Sequence, residues 1–415
     1  MYKLVIISLL IMIGIGQVFA QDTISPELQA KLDEIETITS NIRNLDRLES
    51  TTITFPTQAD LETYLQEQFD KDFESDEFAD DILFYVGLDL MERDIDLKAI
   101  LYDFLISQVA GFYDPEDQSM NVILISGEQP DNSLPITESI FYSHEYVHAL
   151  QDQHFDLDIL DVMVEESENV DFQLAITSLI EGDASEVMLQ YTIKLASIDP
   201  EGVTTALSGV DSTIPDAVPS VIVDEFYFPY FDGQIFVTYL VKRLGWEVID
   251  EAFANRLPQS TEHIYHPERY LAGDMPIAVD VPDMSDLLGD YWRLAQDTSV
   301  GEFYLRQHLS THLRAGVVKD MTTGWGGDRM KLYVDDVTGD LVWVLYQVWD
   351  TPEDATEFAE SYVEFLDLRF GTLSEDGVCW SGEDTMCFVQ IADDETRISF
   401  ATQADLALPM LMVTN

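Results

Sequence analysis

Twenty residues from Ile136 to Phe155 contain no Gly or Pro, and within them stands His144-Glu145-Tyr146-Val147-His148. That stretch constrains the fold more than any other. At about 100° per residue, Ile140, His144, Val147, His148 and Gln151 share one helix face, so both imidazoles point into whatever that face packs against. Thr137 is the expected N-cap, with Glu138 in the first turn. Two His four residues apart on one helix face can grip a zinc ion, and the Glu beside the first can reach a water held by that ion. Five residues with two left free also arise by chance, in which case the helix is simply amphipathic and carries a His pair.

Catalytic zinc takes three protein ligands and keeps one position open. Two candidates exist for the third. His154 has the spacing of the longer metzincin signature, but Gln151 stands where that signature needs a chain-turning Gly. If the helix continues, His154 lies roughly 15 Å along the axis from His144 and about 80° around it, out of reach of the same ion. The other candidate is Glu181, 33 residues after His148, in a helical pattern from about Phe172 to Leu195. Leu174, Ser178, Glu181 and Ser185 fall on one face, and the small residues Gly182 and Ala184 should let this helix approach the motif helix closely. The helix geometry favours Glu181. Glu165, Glu166 and Glu168 are weaker competitors in an expected loop.

The segments 144–155, 178–184 (Ser-Leu-Ile-Glu-Gly-Asp-Ala), 232–237 (Asp-Gly-Gln-Ile-Phe-Val), 260–270 (Ser-Thr-Glu-His-Ile-Tyr-His-Pro-Glu-Arg-Tyr) and 324–329 (Gly-Trp-Gly-Gly-Asp-Arg) together resemble a group of largely uncharacterised secreted bacterial gluzincin-like proteins. The resemblance implies a thermolysin-like zinc site at His144, His148 and Glu181 with Glu145 as general base, hence a secreted zinc metallopeptidase acting on a polypeptide substrate. Thermolysin-like enzymes place an Asp four residues after the Glu ligand to orient a ligand His. That position is Ser185 here, and Asp183 or Glu186 would have to substitute. For the oxyanion, the segment 260–267 offers His263, Tyr265 and His266, of which His266 is the expected donor.

Residues 1–20 read as a signal peptide: Lys3, an apolar run from Leu4 to Ile15, and Val18-Phe19-Ala20 before Gln21. An exported protein is the expectation; left uncleaved, the segment would be a membrane anchor. No later run is apolar enough to span a bilayer. Export makes a disulfide the expected state of the two cysteines, Cys379 and Cys387. With 79 acidic against 20 basic residues, nothing would neutralise phosphates, which excludes nucleic acid as a partner. So acidic a surface suits saline surroundings or basic substrates and could bind Ca2+, although no complete EF-hand loop is present.

The expected fold class is α+β: a mainly helical, zincin-type metallopeptidase domain with a short β-sheet, then a smaller C-terminal α+β domain. The expected divisions are 1–20 (signal), 21–107 (N-terminal helical region), 108–281 (catalytic domain) and 282–415 (C-terminal domain). Helices are expected over Ser25–Leu45, 58–70, 77–92, 95–110 and within Phe226–Leu257, and a strand over Met120–Ile125 that could line a cleft beside the motif helix. Beyond Pro282 we expect a helix from Val300 to Leu313, strands near 330–335 and 341–349, a helix from Pro352 to about Leu368, and strands near 387–391 and 396–401. His308 and His312 repeat the four-residue spacing with Leu309 in the base position and read as surface helix residues. Two rival functions remain: a zincin fold serving as a binding or adhesion module, against which the intact Glu145 argues, and a metalloenzyme acting on a different bond.

Overall fold

The computed structural model describes residues 24–72, 76–108, 111–115, 117–124, 132–209, 213–371 and 377–413, so the expected signal peptide lies outside the described residues. The chain opens with α1 (Pro26–Arg43), β1 (Thr52–Thr54), α2 (Gln58–Asp72), α3 (Asp76–Gly87), α4 (Leu97–Gln108) and the hairpin β2 (Gly111–Asp114) and β3 (Ser119–Val122). The motif helix α5 (Ile136–Phe155) follows, then α6 (Leu157–Glu166), α7 (Val170–Ile198), α8 (Pro200–Ser208), α9 (Ser220–Leu244), α10 (Glu247–Asn255), α11 (Thr261–Tyr265), α12 (Pro267–Ala272) and α13 (Ser285–Leu288). The last part holds β4 (Trp292–Thr298), α14 (Gly301–Ser310), α15 (Ala315–Thr322), β5 (Trp325–Asp335), β6 (Leu341–Trp349), α16 (Pro352–Phe370), β7 (Cys379–Ser381), β8 (Thr385–Gln390), β9 (Glu395–Ala401) and α17 (Ala404–Leu411). The class is α+β. Among the described residues no helix is long and apolar enough to cross a membrane.

Local chemistry sets several boundaries. Ser25 caps α1 by accepting the Leu28 N–H at 3.1 Å with Pro26 in the first turn, and Asn44 ends it in the left-handed region at φ 64°. The motif helix starts ahead of the expected cap: the Pro135 carbonyl takes the Ser139 N–H at 2.9 Å, and Thr137, already inside the helix, donates its hydroxyl to Ala206 O instead. Glu165 and Glu166 lie at the end of α6 rather than in a loop and, like Glu168 just beyond, are exposed. Helix α9 runs through Pro229.

Helix α7 is buried along most of its length and packs against both α5 and α9. A Cβ on Gly182 would come within 2.3 Å of the Gly233 carbonyl group, and one on Gly233 within 2.3 Å of Ser178 O. Only paired glycines allow so close a crossing. The close approach expected between Gly182 and the motif helix is thus made to α9; toward α5 it is Ala184 that packs, against Val147.

The two sheets differ in size and role. In the small one the order is β1-β3-β2, with β1 parallel and β2 antiparallel to β3, so β2 rather than the expected 120–125 strand forms the edge beside α5. The large antiparallel sheet runs β4-β5-β6-β9-β8-β7. Cys379 and Cys387 are register partners on β7 and β8 and form the expected disulfide. One apolar core joins the N-terminal helices to this sheet: Phe84 meets Tyr304 edge-on at 5.1 Å, and Trp343 Nε1 donates to Gly87 O at 2.7 Å. Arg293 grips Asp80 through two hydrogen bonds of 2.6 and 2.7 Å. His308 is no surface residue. It is buried where α14 meets the end of α3 and α16, with Leu88 O 2.8 Å from Nδ1 and the Tyr362 hydroxyl 3.3 Å from Nε2, because the end of a neighbouring helix offers a carbonyl to its ring. His312 is exposed, as expected.

The Gly-Trp-Gly-Gly-Asp-Arg segment builds the start of β5. Asp328 accepts the N–H groups of Val300 at 2.8 Å and Gly301 at 3.1 Å, capping α14, and the Trp325 indole N–H at 2.9 Å.

Burial leaves several carboxyls with raised pKa values: Asp328 at about 6, Asp171 and Glu225 at about 8, and Glu262 at about 9 despite the opposing charge of Arg269. Unfolded, such groups titrate near pH 4. Between those limits the native chain keeps protons that the unfolded chain has released, so stability falls as pH rises from about 4 through 9. Chelator-treated protein should therefore melt at a higher temperature at pH 5.5 than at pH 8.5, with a smaller difference in Glu225→Gln. A melting temperature that rises over this range would contradict the assignment.

Candidate metal centre

The helix face carrying His144 and His148 is met by α7, which presents Glu181 one residue before the glycine crossing. Glu181 Oε2 lies 2.9 Å from His144 Nε2 and 3.5 Å from His148 Nε2, and the two ring nitrogens are 3.2 Å apart. Tetrahedral zinc with bonds of about 2.0–2.1 Å has ligand atoms roughly 3.3–3.4 Å from one another. The observed triangle has that size, and the donor set, two imidazoles and a carboxylate, has the matching chemistry. The side chains fit a zinc ion. Among the described residues these three form the only cluster of His, Cys, Asp and Glu close enough to share one ion.

The electrostatics agree. Burial pushes the Glu181 carboxyl up, yet His148 and His144 outweigh it and hold it at about 2. Burial likewise pushes the His148 imidazole down, but Glu181 lifts it to about 9. The three groups therefore need a positive charge among them, which a proton or a metal ion can supply.

Glu145 points to a different neighbour. Its Oε2 accepts the Tyr113 N–H of β2 at 3.1 Å, and the Tyr113 hydroxyl donates to Asp152 at 2.8 Å, so one residue of the edge strand is tied to the motif helix at two points. Burial raises the Glu145 carboxyl, opposed by the nearby imidazoles. Exposure increases from Glu181 at 1% through His148 at 3% to His144 at 6%, and Glu145 is only partly buried. The site opens on the Glu145 side.

Tyr230 of α9, which the sequence reading did not single out, stands at the same opening. Its hydroxyl donates to Glu181 Oε1 at 3.1 Å and its ring lies against His144 with centroids 5.8 Å apart. Burial and the Glu181 charge keep this phenol well above its ordinary pKa, so it remains a donor. No local sequence signal marks it: only the crossing at Gly233, one turn on, brings it to the triad.

The other candidates are engaged elsewhere. His154 Nε2 contacts Asp46 O at 2.7 Å, and Gln153 Oε1 accepts the N–H groups of Leu48 and Glu49, so the end of the motif straps the segment after α1. His266 Nε2 lies 3.1 Å from Glu302 Oε2, within a network that includes Arg306 and Thr322. His263 contacts Asp274 O, and Arg306 lies over the Tyr265 ring. Glu186 accepts from Thr238 of α9 and Gln190 of its own helix.

Residues 292–408, from β4 into α17, match a family model described as a domain of unknown function (DUF8575). No curated protein and no solved structure matches the chain. The matched segment lies wholly after the triad and comprises the large sheet with its helices.

Glu181→Gln should weaken zinc binding by at least on the order of a hundredfold, since it removes one of three protein donors, whereas His154→Ala should leave it within a few-fold. Competition against a chromophoric chelator measures both. The reverse ranking would return the third position to His154.

Proposed function

We propose that this chain is a zinc-dependent metallopeptidase of the gluzincin type, exported from the cell that makes it. The observation that carries the reading is the triangle of His144, His148 and Glu181 donor atoms at zinc spacing with Glu145 beside it on the open side. Zinc held there would supply Lewis acidity toward a water and toward a substrate carbonyl.

The remaining chemistry belongs to the side chains. One Glu145 oxygen is fixed by the Tyr113 N–H, which leaves Oε1 free to take a proton from water and hand it to a departing amine. Partial burial and the adjacent imidazoles hold that carboxyl in opposite directions, a balance suited to a group that must both accept and release a proton. Tyr230 is a neutral donor whose single hydroxyl hydrogen rests on Glu181 Oε1, and we assign it to a developing oxyanion, toward which that hydrogen would turn from the carboxylate.

The edge strand supports a polypeptide as substrate. Among the described residues strand β2 pairs only with β3, and the Tyr113 amide points to the other side, toward Glu145. Alternate residues of a strand direct their amides alike, so Gly111 offers its backbone to that side too. An extended chain added there would pass the base.

Glu145→Gln should retain fold and zinc but lose on the order of a hundredfold or more in turnover, because the amide can still hydrogen-bond water but cannot carry its proton. Zinc content and cleavage of a broad peptide library, measured side by side, test this. Zinc-loaded wild type that cuts nothing at neutral pH across a range of salt would reject the enzyme in favour of a binding module.

A further inference from the structure

Behind His148, on the side away from the opening, a line of polar side chains runs through an otherwise apolar interior. Gln151 Oε1 lies 2.8 Å from His148 Nδ1. Its Nε2 donates to Ile180 O at 3.0 Å and to Asp183 Oδ2 at 2.9 Å. Asp183 in turn pairs with Arg43 Nε at 2.7 Å, and Arg43 Nη1 reaches Asp250 at 2.8 Å while its guanidinium sits 4.9 Å from the centre of the Trp246 ring. Gln151, Asp183 and the Arg43 side chain are fully buried.

This arrangement decides a tautomer. Both hydrogens of the Gln151 amide are spent on acceptors, Ile180 O and Asp183 Oδ2, so the atom facing His148 must be the amide oxygen. That oxygen can only accept. In the neutral imidazole that binds a metal, the proton is therefore held on Nδ1, and the lone pair of Nε2 is turned toward Glu181 and His144.

The ends of the line explain its length. Asp183 fixes the Gln151 amide but brings a buried negative charge, and a buried carboxylate without a partner is strongly unfavourable. Arg43, the last residue of α1, neutralises it. Asn44, in the left-handed conformation, then turns the chain away, and His154 and Gln153 hold the segment that follows. The helix nearest the start of the described chain thus supplies the charge that lets Asp183 and Gln151 orient a metal ligand.

We infer that Gln151, Asp183 and Arg43 form a positioning relay for His148, which makes α1 a part of the metal centre. The inference rests on the metal reading given above and adds to it a dependence of metal affinity on the N-terminal helix. Gln151 occupies the place where a metzincin would carry a turning Gly, and through it Asp183 orients the ligand indirectly, from two residues after Glu181.

Zinc affinity, measured by chelator competition on the full chain, separates this role from simple packing. Gln151→Leu should bind zinc about 10- to 100-fold more weakly, the range seen when a partner of a ligand His is removed. Gln151→Glu combined with Asp183→Asn keeps an acceptor for Nδ1–H, restores a donor between positions 183 and 151 and avoids two facing carboxylates, so it should recover most of that loss. Arg43→Met should also weaken zinc binding, and adding Asp183→Asn to it should restore part, since the uncompensated charge is then gone. A Gln151→Leu protein that binds zinc as tightly as wild type while melting at a lower temperature would overturn the relay and leave the metal reading intact. Wild type that binds no zinc would overturn both. If Gln151→Leu does not fold, long-range proton–nitrogen correlations of histidine-labelled, zinc-loaded wild type read the tautomer directly. His148 protonated on Nδ1 supports the relay, and the opposite tautomer refutes it.

Discussion

Where α7 crosses α9, Gly182 faces the backbone of Gly233 with no room for a Cβ on either residue. Much of the site depends on that contact. It brings Tyr230 over His144 and within hydrogen-bonding distance of Glu181, while Ala184, two residues further along α7, sets the spacing to the motif helix at Val147. A side chain at the crossing would push the helices apart and disturb a triangle of donor atoms whose sides are 2.9–3.5 Å.

The motif helix is used along its whole length. His144 and His148 face Glu181, Glu145 faces the edge strand, and Tyr142 and Tyr146 enter the smaller apolar core with α1. Gln151 continues the polar line behind His148, Asp152 holds Tyr113, Gln153 and His154 strap the N-terminal segment, and Phe155 stacks on Phe253 at 4.8 Å. Each residue is committed to a different neighbour because 100° per residue turns successive side chains to different parts of the protein.

That periodicity is also why this part was legible in the sequence. The bounds of α5, the His face and the preference for Glu181 over His154 follow from helix geometry alone, without knowledge of what surrounds the helix. Tyr230 and the Arg43 end of the relay were not legible, because they arrive from 49 and 140 residues away from their partners through tertiary packing. Thr137 illustrates a local rule overridden by its neighbour: Pro135 starts the helix with its own carbonyl, and a hydroxyl at 137 is left to reach α8. His308 illustrates the reverse error, a polar residue on an amphipathic pattern taken for surface until the carbonyl of Leu88 supplied its partner. In the C-terminal part β4, α15 and α17 were missed. β4 is bulged, and α15 and α17 have 8 residues each, so none carries enough periodicity to stand out.

X-ray absorption at the zinc edge, on the full chain loaded with one equivalent of metal, reads whether His144, His148 and Glu181 hold one zinc ion as proposed. Those ligands should give a first shell of nitrogen and oxygen at about 2.0–2.1 Å, outer-shell scattering from two imidazoles, and no sulfur. A spectrum without imidazole scattering, or with the zinc fully hydrated and removed by simple buffer exchange, would contradict the proposal.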